Sequence, residues 1–152
     1  MPEVGETAPD FNSPCDPDGE ISLGGIDGAL VLYFYPRDDT SGCTKEAQGF
    51  DAAAAEFAAA GARVIGVSKD TMKSHGKFRA KYDLSVPLIS DAEGDLCERY
   101  GVWVEKKMYG KTFMGIERAT FLIRADKTIA RIWRKVKVPG HVDEVLDAVK
   151  AL

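Results

Sequence analysis

Apolar residues fall in short blocks along the chain, and these blocks alternate with stretches of helical periodicity. Residues 29–35, ALVLYFY, form a continuous apolar run ended by Pro36. Its length, β-branching and aromatic bulk predict a strand buried on both faces. Residues 63–69, RVIGVSK, and 119–123, ATFLI, read the same way. Residues 128–136, TIARIWRKV, alternate apolar and polar side chains and predict a strand with one wet face. Helical segments are predicted between the strands, over about 41–60, 71–82, 92–100 and 141–151. In the last of these, Val142, Val145, Leu146 and Val149 share one face at helical spacing. The alanine-rich DAAAAEFAAAG at 51–61 is a helix interior by propensity, and Gly61 is a natural stop.

Near the N-terminus, SPCDPDGEISL carries Asp18-Gly19 between short extended pieces, which is a hairpin signal. Strands alternating with helices give an α/β fold with helices flanking a mixed central sheet. Only Ala125-Asp126-Lys127 separate the two late strands, too few residues for a crossover helix. That pair must be antiparallel, which excludes a purely parallel doubly wound fold.

The length of 152 residues suits one domain over 1–152. Hydrophobic residues at 45% and charged ones at 29% exclude a disordered chain. A net charge of −4 and a pI near 5.2 argue against a nucleic-acid partner, which needs clustered positive charge. The basic run RIWRKVK at 131–137 is better explained as a solvated strand face. No apolar run approaches the roughly 20 residues of a membrane-spanning helix, and the acidic N-terminus lacks the regions of a signal peptide. Cys15, Cys43 and Cys97 are too few for a disulfide framework, so a reducing cytoplasm is expected. His75 and His141 have no ligand spacing with them, so no zinc is expected. LGGIDG at 23–28 lacks the dinucleotide and phosphate-loop patterns and reads as a loop. Trp103 and Phe113, in a glycine-punctuated segment, fit a pocket mouth or the core equally well.

The chemistry concentrates in YFYPRDDTSGCTKEAQGF, residues 33–50. Pro36 ends a buried strand, Thr40 and Ser41 are candidate helix caps, and Cys43 falls in the first helical turn. There the unpaired N–H groups and the helix dipole favour negative charge. A free thiol has a pKa of about 8.5, and such a setting lowers it. Thr40, one turn earlier, can aim its hydroxyl at the same spot. The plainer reading, a small buried cysteine, is outweighed by this placement at a strand-to-helix turn.

Pro36-x-x-x-Thr40-x-x-Cys43 resembles the peroxiredoxin active-site motif. Gly5-Glu-Thr-Ala-Pro-Asp-Phe11 is similar to the family's N-terminal signature. VWVEKKMYGKTFMGIERATFLI at 102–123 is similar to the subgroup named bacterioferritin comigratory protein, or peroxiredoxin Q. The resemblance implies a thioredoxin-like fold with an N-terminal hairpin and thiol-dependent reduction of hydrogen peroxide and organic hydroperoxides. By the same resemblance Cys43 is the peroxidatic cysteine, Pro36 and Thr40 belong to its pocket, and Arg118 is the active-site arginine. Glu46, one turn after Cys43, matches a position that helps hold that arginine. No metal, haem or flavin cofactor is implied. The resemblance further implies a monomer, with a dimer as the alternative, and thioredoxin, glutaredoxin or a small thiol as reductant.

One departure bears on the catalytic cycle. Many members of the subgroup carry a resolving cysteine five positions after the first, where this chain has Gln48. Others carry it on the following helix, but residues 70–83, DTMKSHGKFRAKYD, contain none. Cys97, on a predicted helix between Leu96 and Tyr100, is expected to be buried and is the remaining candidate resolver. Cys15, in a polar turn, reads as an exposed thiol. A one-cysteine cycle completed by an external thiol is therefore the leading expectation, and a two-cysteine cycle through Cys97 is the alternative. A disulfide oxidoreductase lacks the needed Cys-x-x-Cys. A redox-sensing or disulfide-relay module is the reading of another class, separated from a peroxidase by catalytic turnover.

Overall fold

The computed structural model describes residues 2–152. The chain enters through the expected antiparallel hairpin, β1 (Asn12–Asp16) and β2 (Gly19–Ser22), which turns at Pro17-Asp18, one residue earlier than the Asp18-Gly19 signal. A single 3-10 turn at Leu23–Gly25 leads to β3 (Ala29–Phe34), whose six residues are all buried. Then come α1 (Ser41–Ala52), α2 (Ala54–Ala59), β4 (Ala62–Ser68), α3 (Met72–Tyr82), β5 (Leu88–Ser90) and α4 (Leu96–Arg99). A second hairpin, β6 (Trp103–Met108) and β7 (Lys111–Ile116), precedes β8 (Ala119–Ile123), β9 (Ile129–Trp133) and α5 (His141–Lys150).

Seven strands form one sheet in the order β2-β1-β5-β4-β3-β8-β9, and β6 and β7 form a separate pair. Strands β3, β4 and β5 are mutually parallel, whereas β8 runs antiparallel to both β3 and β9. This is the mixed sheet expected from the short β8–β9 connection, in a thioredoxin-like α/β fold. Side chains alternate across the sheet. Leu30, Leu32 and Phe34 point into one core, with Phe11, Cys97, Tyr100 and Phe121. Val31, Tyr33 and Tyr35 point into the other, with Phe50, Phe78 and Val145 from three helices, and with Cys43. Each such side chain contributes about 1.5–3 kcal/mol on burial.

Four expectations need correction. The helix predicted over 41–60 breaks at Ala53, two residues after Asp51. The Asp51 carboxylate accepts from the backbone N–H of Ser85 and Val86, a tertiary tie that overrides alanine propensity. The helix predicted over 92–100 shrinks to α4 because Asp91 accepts from the N–H of Leu96 and Cys97, at 3.0 and 2.9 Å, and so fixes its start. Residues 103–116, read only as glycine-punctuated, form a hairpin whose turn residues Tyr109 and Gly110 both have positive φ (52° and 75°). Cys15 is not an exposed thiol: it lies in β1 with its side chain facing the core, fully buried. Trp103 packs against the core and carries Lys69 over its ring, while Phe113 is exposed. Among the described residues, no helix is long and apolar enough to cross a membrane.

Candidate active site

The last sheet bond of β3 is donated by Tyr35 N–H to Val67 O, at 3.0 Å. Pro36 follows, lacks an N–H, and ends the ladder. The chain then crosses Arg37–Thr40 and enters α1, placing Cys43 third in the helix and 2% exposed. Antiparallel pairing of Phe34 with Ala119 brings the start of β8 beside the end of β3, and Arg118 is the residue just before β8. Residues 75 positions apart in sequence therefore meet: Arg118 Nη2 donates to Cys43 Sγ at 3.3 Å.

The other arm of the same guanidinium donates to Glu46 Oε1 at 2.6 Å. Glu46 follows Cys43 at i+3, so both lie on one face of α1. Its carboxylate is fully buried, and its second oxygen has no hydrogen-bond partner among the described residues. Burial raises the Glu46 pKa from 4.5 to about 7, against the opposing pull of Arg118. Burial disfavours the charge on Arg118, but its electrostatic and hydrogen-bond interactions with Glu46 and Cys43 more than restore it, and its pKa is raised. A Cβ at Gly42 would stand 3.3 Å from Arg118 Nη2, so the glycine leaves the arginine its approach.

Of the residues singled out in the sequence, Cys43, Arg118 and Glu46 meet in the structure, and Pro36 follows the end of β3. Thr40 needs correction. It sits at the N-cap of α1, but its hydroxyl makes no capping bond. It donates instead to Arg37 O at 3.0 Å, closing the loop on itself. Cys97 is fully buried on α4 and belongs to the core on the far side of the sheet from Cys43. Burial first, and Asp91 second, push its thiol pKa up. Burial likewise pushes the Cys15 thiol up to about 12.

Two neighbours of the site carried no signal in the sequence. Lys106 on β6 lies along Gly115, and its ammonium is held below the ordinary lysine value by burial first and Arg118 second. His141, at the start of α5, pairs its Nε2 with Thr120 Oγ1 at 2.8 Å. Burial lowers its pKa from 6.5 to about 4. It packs edge-on against Phe50 and Trp133, so a neutral ring suits its surroundings.

A cysteine thiol held against a half-buried arginine at a helix start is a setting for nucleophilic sulfur chemistry. The family described as AhpC/TSA matches residues 4–132. The chain belongs to that family. Peroxiredoxin Bcp of Xanthomonas campestris is 52% identical over 122 residues, covering 80% of this chain and 76% of that protein. Peroxiredoxin Bcp of Bacillus subtilis is 45% identical over 149 residues, covering 97% of this chain and 95% of that protein. A solved structure of the Xanthomonas campestris bacterioferritin comigratory protein, described for its alkyl peroxide reduction activity, is also similar. It superposes with a TM-score of 0.87 at 45% identity, over 93% of this chain and 90% of that one. These relatives place the chain in the Bcp, or peroxiredoxin Q, subgroup. It is a thiol-dependent peroxidase, with a hydroperoxide as substrate and a thiol as reductant.

Proposed function

We propose that Cys43 is the peroxidatic cysteine, that Arg118 is its electrostatic partner, and that an external thiol completes a one-cysteine cycle. The observation that carries this reading is the 3.3 Å contact between Arg118 Nη2 and Cys43 Sγ. The Cys43 thiolate attacks the terminal oxygen of the hydroperoxide. The S–O bond forms as the O–O bond breaks, and the departing oxygen takes the electron pair and then a proton. The products are Cys43 sulfenic acid and an alcohol, or water when hydrogen peroxide is the substrate. Arg118 and the free N–H groups of the first turn of α1 are fixed donors for that growing charge in a site with little water. Thr40 joins them by releasing Arg37 O and turning its hydroxyl toward the peroxide. Pro36 contributes a rigid apolar wall without a competing N–H.

For resolution, an external thiolate attacks the sulfenic sulfur and expels hydroxide, which leaves as water. A second thiol then breaks the mixed disulfide and restores the Cys43 thiolate. Overall, one hydroperoxide and two thiols give one alcohol, one water and one disulfide. Cys97 is a poor resolver because it lies beyond the sheet, with its thiol held protonated by burial. Thioredoxin, glutaredoxin or a small thiol in the cytoplasm fits the role of reductant, and the chain acts as a monomer.

The test is turnover of hydrogen peroxide with each reductant, using wild type, Cys43→Ser and Cys97→Ser. Cys43→Ser loses turnover entirely, while Cys97→Ser retains it with every reductant. If Cys97→Ser loses thioredoxin-driven turnover, and wild type forms a 43–97 disulfide at one equivalent of peroxide, the one-cysteine cycle is wrong.

A further inference from the structure

The loop that delivers Cys43 is fixed by a buried polar network outside the chemistry described so far. Asp38, in the middle of that loop, is almost wholly buried, and His75, on α3, is fully buried. His75 Nε2 lies 2.9 Å from Ile89 O on β5. A carbonyl oxygen only accepts, so Nε2 must carry a hydrogen. His75 Nδ1 lies 2.8 Å from Asp38 Oδ2, another acceptor, so a proton must sit between these two atoms as well.

The surroundings decide which partner owns that proton. Tyr35 donates its hydroxyl to Asp38 Oδ1 at 2.6 Å, and Ser74 donates to Asp38 Oδ2 at 2.8 Å. Both hydroxyls favour charge on the carboxyl group. Burial, and next the charge of Asp38, raise the Tyr35 pKa well above its ordinary value, so that hydroxyl remains a donor. A second carboxylate, Asp70, has an oxygen within 4.8 Å of the same cluster of ligating atoms and favours a cationic ring.

We propose that His75 is a buried imidazolium bound to the Asp38 carboxylate, and that this ion pair positions the loop Arg37–Thr40 so that α1 presents Cys43 to Arg118. The loop is tied at each step. Asp38 N–H donates to Asp70 Oδ2 at 2.9 Å, and Ser68 Oγ donates to the same oxygen at 2.6 Å. Asp39 has a φ of 57°, an uncommon conformation for a residue with a Cβ, and is held by Lys81 and Tyr82 of α3. Strands β3, β4 and β5 and helix α3 thus converge on the residues between Pro36 and Cys43. Asp38 and His75 touch neither peroxide nor sulfur. They are positioning residues, and their effect on rate rests on the assignment of Cys43.

The experiment uses the full reduced chain, labelled with nitrogen-15. Proton–nitrogen spectra of the ring show both His75 nitrogens protonated at neutral pH in wild type. In Asp38→Asn the side-chain amide donates to Nδ1, and the spectrum changes to a neutral ring protonated at Nε2 alone. Stopped-flow oxidation by hydrogen peroxide slows by about tenfold in Asp38→Asn and further in Asp38→Ala, within the roughly 100-fold that a 1 Å misplacement produces. If Asp38→Ala does not fold, the shape-preserving Asp38→Asn carries the rate test. An unprotonated Nδ1 in wild type overturns the ion pair. An unchanged rate in folded Asp38→Asn, whatever its melting temperature, overturns the positioning role. The ring spectrum needs no peroxide, so its failure is distinct from failure of the Cys43 assignment, which Cys43→Ser tests.

Discussion

At Cys43 one guanidinium serves two acidic groups. Arg118 reaches Cys43 Sγ at 3.3 Å with one nitrogen and Glu46 Oε1 at 2.6 Å with the other. Only a planar fork can do both at once, so charge alone does not replace it. Arg118→Ala is expected to slow the peroxide step by about 100-fold or more, the scale of losing one donor to a developing oxyanion. Arg118→Lys restores the charge but not the fork and recovers only part of that loss. Stopped-flow oxidation of the reduced variants checks both, and an unchanged rate in Arg118→Ala would show that the contact at Cys43 has no catalytic weight. Cys43 was legible from its short motif after an apolar strand, whereas Arg118 and Glu46 were legible only through the family resemblance, because an arginine before a strand is ordinarily solvated. Thr40 and Cys15 were not legible, since sequence spacing does not fix a rotamer or a strand face. The polar neighbours of Cys15 hide the alternation that turns its own side chain inward.

Strands β3, β4 and β8 follow apolar runs that are almost wholly buried, and α5 buries Val145, Leu146 and Val149 of its predicted apolar face. The hairpin of β6 and β7 was missed because most of its side chains are exposed or half-buried, leaving no apolar alternation to detect. Strand β5 has only three residues, too few to show a period. Helix α4 is shorter than its sequence pattern because a single side chain decides where it begins. Asp91 is 2% exposed, accepts from two backbone N–H groups and pairs with Lys69 at 3.3 Å. Asp91→Ala would leave both buried donors unsatisfied, at about 1–3 kcal/mol each before relaxation. Urea unfolding is expected to show a loss of about 2–4 kcal/mol, with Asp91→Asn recovering part of it. A loss below about 0.5 kcal/mol, the size of an ordinary surface change, would mean that water replaces the carboxylate.

Across the whole molecule, the sheet divides the thiols: Cys43 shares the core of α1, α3 and α5, while Cys15 and Cys97 belong to the opposite one. The same layout sets two buried titrating groups near Arg118 whose effects on stability oppose each other. Glu46 has a pKa of about 7 in the folded chain against an ordinary 4.5, with burial as the cause. Between those values the folded chain binds a proton that the unfolded chain lacks, so stability grows as pH falls and is lost as pH rises through about 7. His141 has a pKa of about 4 against an ordinary 6.5, again from burial. Here the unfolded chain binds the extra proton, so stability is present above 6.5 and is lost as pH falls toward 4. Each slope is at most about 1.4 kcal/mol per pH unit, the value for one proton. In the shared window from pH 4.5 to 6.5 the two slopes largely cancel in wild type. Removing one group exposes the other. Relative to wild type, Glu46→Gln should lose stability steadily as pH is lowered through that window, and His141→Gln should gain it. Urea midpoints across the window give the differences directly, with the contributions of all other carboxylates common to each pair. If the difference between Glu46→Gln and wild type does not vary with pH, Glu46 is not the raised group, and the charge balance around Arg118 must be redrawn with its carboxylate ionised throughout.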